Sequence, residues 1–270
     1  TILFQFVIFP LGIVAVAVGI FFLFGKLASN EQTIPEYLNE VRYGGQRERW
    51  QAAFQLSQLI NAGEAKRYPD LVNNVTAVYR ASKDDDPRVR RYLSMVLGNL
   101  GDRRATPLLL EALADADVET RIYAILALGR LKDPAAVPHL LTQSASDDRD
   151  VRKAAVYALG EIGDPRALPV LATALNDQTP DVRYNAAVAM ARFGDTRAIG
   201  VVREMLDRAR LDQVQGMRPD QKEATMLAAI PALLRIAPEE ANAILTPLSQ
   251  TDPSMQVRSA AKEALSSKRG

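Results

Sequence analysis

Apolar and polar positions in most of this chain follow helical spacing, inside a frame that returns every 31 residues. Arg90, Arg121, Arg152 and Arg183 mark the return. Eight positions after the residue preceding each Arg comes a Leu or Met (Leu97, Leu128, Leu159, Met190), and thirteen after it an Asp (Asp102, Asp133, Asp164, Asp195). The run from the Arg to the Leu or Met reads as one helix. Each Asp reads as the cap of another: its carboxylate accepts free N–H groups, and the proline that often follows, as in Asp133-Pro134 and Asp164-Pro165, fits a first turn. That other helix carries apolar residues at helical spacing, for example Ala167, Val170, Leu171, Ala174 and Leu175. A helix pair this small cannot bury its own apolar face. The pattern therefore predicts stacked pairs, each covered by its neighbours.

The frame extends outward with less fidelity. Glu48-Arg49 with Leu56 and Leu59 fits a first unit, Thr225-Met226 with Leu233 a sixth that lacks the Arg, and Val257-Arg258 with Leu265 a seventh. The spacings predict extra residues after the first unit and an insertion at about 207–221, read as a polar loop or extended helix end. Pro231 makes the sixth unit a candidate for fraying or a change of curvature. The solenoid is expected over 46–270, preceded by a polar connector over 26–45 that contains Pro35 and Gly44-Gly45. Residues 1–25 hold no ionisable side chain. At about 1.5 Å per residue they could cross a hydrocarbon core of roughly 30 Å, so they predict one transmembrane helix and contact with the lipid bilayer. Lys26, Arg42, Arg47 and Arg49 follow that segment, which places the solenoid on the cytoplasmic side of an inner membrane, with a periplasmic placement as the alternative.

Composition removes several function classes. With 33 basic and 32 acidic residues, the chain lacks the excess of Lys and Arg that phosphate backbones demand, so no nucleic-acid partner is expected. Cysteine is absent and His139 is the single histidine, which leaves little for thiolate, zinc–sulfur or imidazole chemistry. The acidic runs Asp84-Asp85-Asp86 and Asp147-Asp148 fall where turns enter helices, where carboxylates favour the positive end of the dipole. They do not have the alternating spacing of a calcium loop. No phosphate loop, nucleophile elbow or dinucleotide fingerprint is present. No metal, cofactor, small-molecule substrate or catalytic residue is expected.

Residues 148–171 carry a more specific signal: Asp148, Val151-Arg152, Ala155, Ala158-Leu159-Gly160, Ile162-Gly163-Asp164, Arg166-Ala167, Pro169 and Leu171. This frame resembles the short HEAT repeats of the phycobilin-lyase HEAT-like type, from about Arg47 to the C-terminus. The resemblance implies an all-α protein: a right-handed α-solenoid of about seven antiparallel helix pairs, with second helices lining the concave side. It does not imply one function, since such repeats serve enzymes, adaptors and scaffolds alike.

Within the frame, Arg90, Arg121, Arg152 and Arg183 read as structural rungs that pair with Asp or loop carbonyls of adjacent units. The second, third and sixth positions after the Val should face the concavity. There lie Trp50 and Phe54; Arg91, Tyr92 and Met95; Tyr123 and Leu126; Tyr157; then Tyr184 and Asn185. Tyr and Trp dominate interface hot spots, so these residues predict a partner-binding groove, and the competing reading buries the rings between units. The function expected is that of a non-catalytic, membrane-anchored scaffold or adaptor, an accessory or assembly subunit of a bacterial membrane complex. A bilin (tetrapyrrole) lyase-like enzyme or chaperone is the alternative.

Overall fold

The computed structural model describes residues 33–60 and 67–267, with Val18 and Gly63 as isolated positions. Every regular element among the described residues is helical. Seven antiparallel pairs follow one another: α1 (Ile34–Tyr43) with α2 (Gln46–Leu59), α3 (Leu71–Ala81) with α4 (Pro87–Leu100), and α5 (Thr106–Glu111) with α6 (Val118–Leu131). Next come α7 (Val137–Gln143) with α8 (Arg149–Ile162) and α9 (Leu168–Ala174) with α10 (Pro180–Arg192). In the sixth, a short helix α12 (Arg208–Gln213) intervenes between α11 (Ile199–Leu206) and α13 (Pro219–Ile236). The seventh is α14 (Ala241–Thr251) with α15 (Met255–Ser267).

The capping chemistry explains the shape of each first helix. Asp102, Asp133, Asp164 and Asp195 each accept the N–H two residues on, and each opens a single 3-10 turn. The α-helical part then begins with a proline in its first turn at Pro107, Pro138 and Pro169. A proline there offers no N–H to continue the ladder, so the first helix divides into a 3-10 turn and a short α segment. At the preceding bend the chain takes a left-handed conformation at Gly101, Gly163 and Gly194, but also at Lys132, with φ 50°.

The second helices are drawn together by a glycine–alanine contact. A Cβ built on Gly98 would stand 2.8 Å from the Ala127 Cα, one on Gly129 would stand 2.9 Å from the Ala158 Cα, and one on Gly160 would stand 2.6 Å from the Ala189 Cβ. Only a hydrogen fits, so α4, α6, α8 and α10 approach backbone to backbone. The first helices meet their neighbours chiefly through the opening turns. Close approach on one layer and looser spacing on the other bends the stack towards the second helices. The core runs continuously between the layers through Val89, Leu97, Leu109, Ile125, Leu128, Leu140, Leu159, Leu171 and Met190, all essentially inaccessible.

Four expectations need correction. The connector over 26–45 contains α1, which Glu36 caps by accepting the Thr33 N–H and which buries Leu38 and Val41. It is therefore the first helix of the first pair: hydrophobic spacing in so short a segment is easily masked by the charged residues on its outer face. The 207–221 segment is largely ordered: Asp207 caps α12, Leu211 is fully buried, and α13 starts at Pro219. The α13 helix then runs unbroken through Pro231 to Ile236. The proposed transmembrane helix over 1–25 lies, Val18 apart, outside the described residues. No helix among the described residues is long and apolar enough to cross a membrane, which corrects the expected single-pass inner-membrane placement.

Candidate protein-binding groove

Aromatic side chains from three consecutive second helices meet on the inner face. Tyr92 of α4 is at the centre. Its ring centroid lies 6.5 Å from that of Trp50 and 5.2 Å from that of Phe54, both on α2, and 6.2 Å from that of Tyr123 on α6. The Phe54 and Tyr123 contacts are edge-to-face, the arrangement in which the positive ring edge meets the negative face. Trp50, Tyr92 and Tyr123 are half-buried and Phe54 is exposed. The cluster is thus fixed by mutual packing and still presents ring surface.

Charged residues frame the cluster. The Arg88 guanidinium lies 4.1 Å from the Trp50 ring centroid and donates to Asp86 from Nε at 3.0 Å. Arg91 forms a two-pronged pair with Asp117, donating from Nε at 2.8 Å and from Nη2 at 2.6 Å. That pair, with the Thr120 hydroxyl and N–H as further donors, holds the Asp117 carboxyl well below the usual carboxylate range. Asp86 is lowered in the same way by its bonds with Arg88. Burial raises the Tyr123 hydroxyl. Neutral phenols, fixed guanidinium groups and exposed ring faces give a surface that can stack on apolar or planar groups and donate hydrogen bonds.

The expected groove residues do not all gather there. Tyr157 is exposed one unit beyond the cluster. Met95 and Leu126 are half-buried beside it. Tyr184 contradicts its expected place: it is 4% exposed, and its hydroxyl donates to Glu204 at 2.9 Å. Burial, reinforced by that carboxylate, pushes its pKa up. The reason is local, because Glu204 of α11 offers the Tyr184 hydroxyl an acceptor in the inter-helix space. Asn185 donates to the Lys153 carbonyl at 3.4 Å and so ties α10 to α8. Arg88, absent from the expected set, completes the cluster; its place one turn from Tyr92 was the available signal.

On the opposite edge of the second helices lies the arginine ladder. Arg90 donates to the Ser82 and Lys83 carbonyls and pairs with Asp115 at 2.7 Å. Arg152 repeats this with the Ser146 and Asp147 carbonyls and with Asp177 at 2.9 Å. Arg183 donates to the Asp177 and Gln178 carbonyls but takes Glu204 at 2.7 Å. Arg121 is bonded to the Asp115 and Ala116 carbonyls without a carboxylate, because Ser146 stands where the Arg90 and Arg152 units have Asp115 and Asp177. Arg49 and Arg208 add outer rungs, to Asp85 at 2.5 Å and to Asp252 at 2.6 Å.

Two overlapping stretches, residues 75–150 and 140–218, match the family of HEAT repeats and together span more than half of the sequence. The chain belongs to the HEAT-repeat family. No curated protein matches the sequence. Among solved structures this HEAT-repeat chain is similar to the complex of CpcE and CpcF of phycocyanin lyase from Nostoc sp., at 21% identity over 88% of this chain and 96% of that chain, with TM-score 0.57. At that identity the likeness is one of fold. Human deoxyhypusine hydroxylase in complex with glycerol (18% identity, 86% of this chain and 94% of that chain, TM-score 0.36) resembles it more loosely. So does an engineered protein (18% identity, 87% and 96%, TM-score 0.48). Neither of these looser likenesses bears on function. Among the described residues no group of three or more His, Asp or Glu side chains is placed to hold a metal ion.

Proposed function

We propose that this HEAT-repeat protein is a non-catalytic binding module that docks a protein partner against the aromatic cluster on its inner face, as a scaffold or assembly subunit. The observation that carries the reading is the ring cluster of Trp50, Phe54, Tyr92 and Tyr123, packed from three units and left partly open. Rigid aromatic anchors lose little entropy on binding and are the residues most often found at hot spots. The family supports it too, because repeat stacks offer extended surfaces for macromolecular contacts.

A second reading rests on the similarity in fold to a subunit of phycocyanin lyase, and that comparison favours it at least as strongly: a bilin lyase-like protein or chaperone. The same cluster suits it chemically. Exposed rings can stack on a planar tetrapyrrole, and Arg88, Arg91 and Lys153 could pair with its carboxylates. The two readings share a site and differ in its occupant.

One pair of measurements separates them. A photo-crosslinking residue placed at Tyr92 or, as a control, at exposed Tyr43 would be used in native extract, with a Trp50→Ala, Tyr123→Ala variant alongside. A crosslinked protein obtained at Tyr92, absent at Tyr43 and lost in the variant, supports protein docking. A red-shifted bilin absorbance on mixing with wild type, lost in the variant, supports the tetrapyrrole reading. Neither signal at the cluster would discard both.

A further inference from the structure

A second concavity lies away from the aromatic cluster, on the side of the first helices. It is a cleft of about 370 Å³ between the ends of α3 and α5, lined among others by Tyr79, Arg80, Lys83, Leu108, Glu111 and Ala112. That volume is at the small end of the range for small-molecule sites. Its walls include the buried or half-covered side chains of Leu108 and Ala112, so an apolar body would be well received.

The cleft is also where the repeat departs most from its own frame. At the position of Tyr79 successive units carry Leu110, Leu141, Ala172 and Arg203. At that of Arg80 they carry Glu111, Thr142, Thr173 and Glu204, and at that of Lys83, Ala114, Ala145, Asn176 and Asp207. The four following units thus have neutral or acidic residues at the latter two positions, whereas here both are cations. These changes serve no rung and no cap.

Charge bookkeeping leaves one cation uncommitted. Arg90 neutralises Asp115 at 2.7 Å. Arg80 pairs with Glu111 at 3.4 Å, both side chains more than half exposed. Lys83 is exposed and forms no ion pair among the described residues. Tyr79 is 6% exposed, and its hydroxyl is buried beside the Ser94 side chain rather than open to the cleft. Burial pushes the Tyr79 hydroxyl up to about 12, which keeps it a neutral donor.

We propose that this cleft binds a small amphipathic organic anion. Its carboxylate or sulfonate head pairs with Lys83, with Arg80 as a further donor, and its apolar body lies against Leu108, Ala112 and the Tyr79 ring. The site is independent of the aromatic cluster and of what occupies it.

The test uses 2-naphthoate as probe, with neutral 2-naphthalenemethanol and acetate as comparators, by calorimetry on the whole chain and by amide-shift mapping. The expected result is saturable naphthoate binding with shifts confined to residues 79–83 and 108–116. Naphthalenemethanol and acetate should each bind at least roughly tenfold more weakly, the scale of one charge-assisted hydrogen bond. Lys83→Gln, at an exposed position, should lower naphthoate affinity about tenfold, whereas Tyr79→Phe, which keeps the ring, should leave it unchanged. The same Lys→Gln change at exposed Lys132 should leave it unchanged. Shifts elsewhere, equal binding by Lys83→Gln, or naphthalenemethanol binding as well as naphthoate would overturn the proposal.

Discussion

The pairs from α6 to α10 and those from α1 to α4 are built on one frame and use it differently. In the central pairs, Lys132 and Ser146 apart, the frame is kept on the surface as well as in the core: Asp148, Arg152, Gly160 and Asp164 each do what the period assigns. In the first pairs the buried positions keep to it, with Val89, Leu97 and Gly98 as tightly packed as their counterparts. The exposed positions do not. Trp50, Phe54 and Tyr92 depart on the inner face, and Tyr79, Arg80 and Lys83 on the other. Regularity therefore records what the stack needs to stand, and both proposed binding surfaces lie where it is departed from.

The comparison breaks most sharply at the glycines. Gly129→Ala should cost about 2 kcal/mol, because the new methyl would stand 2.9 Å from the Ala158 Cα, and backbone must move to admit it. Since α6 and α8 are then prised apart in mid-array, urea unfolding followed by circular dichroism should lose its single transition. Gly200→Ala provides the opposite sign. Nothing lies within 4 Å of its would-be Cβ, so the gain in helix propensity should add a few tenths to about 1 kcal/mol. Equal effects at both sites would refute the close-approach account of curvature.

The ladder sharpens the same contrast. Arg152 and Asp177 are 11% and 15% exposed as side chains, so Arg152→Leu strands a carboxylate in poor solvent and should cost about 2 kcal/mol. Arg121→Leu removes only bonds to carbonyls and should cost about half as much. Ser146→Asp should then stabilise wild type and have no effect in the Arg121→Leu background, which a double-mutant cycle in urea would show.

Most of this architecture was legible before any coordinates. The period located the second helices, the Asp caps and the rungs, because these are local chemistry repeated in register. The α1 helix was missed, since ten residues give too little periodicity beside a glycine pair. Tyr184 was misplaced because a helical position specifies a direction, while its partner Glu204 belongs to another helix. The Tyr79 cleft was invisible for a like reason: the sequence shows three unusual residues, but only the packing of α3 against α5 shows that they surround one space.

Acid should act on the turns before the core. Arg166, through side-chain and N–H bonds, lowers Asp164 to about 2, and Asp102 and Asp195 are lowered by Arg104 and Arg197 in the same way. A carboxyl depressed in the folded state contributes stability that is complete above its unfolded value and disappears as pH falls through the folded one. The melting temperature should therefore be flat above about pH 5 and decline between about 4 and 2. Asp164→Asn should lower it at neutral pH and reduce the decline; an unchanged acid slope would show that these caps contribute nothing to the pH dependence.

The smallest effect expected is also the cleanest comparison between units, because it changes a single backbone position. Gly101, Gly163 and Gly194 turn the chain with φ between 67° and 75°, whereas Lys132 does so with φ 50° and a side chain that crowds its own carbonyl. Its N–H still closes the helix on the Gly129 carbonyl, and its carbonyl accepts from Arg103, so the bend is held by its neighbours. Lys132→Gly should therefore relieve strain without loosening the turn. A gain of about 0.5–1 kcal/mol would mean that the Lys132 bend is strained relative to the other three. A loss would mean that the lysine side chain contributes more than its backbone strain costs, and the period would then be only a partial guide even to the turns.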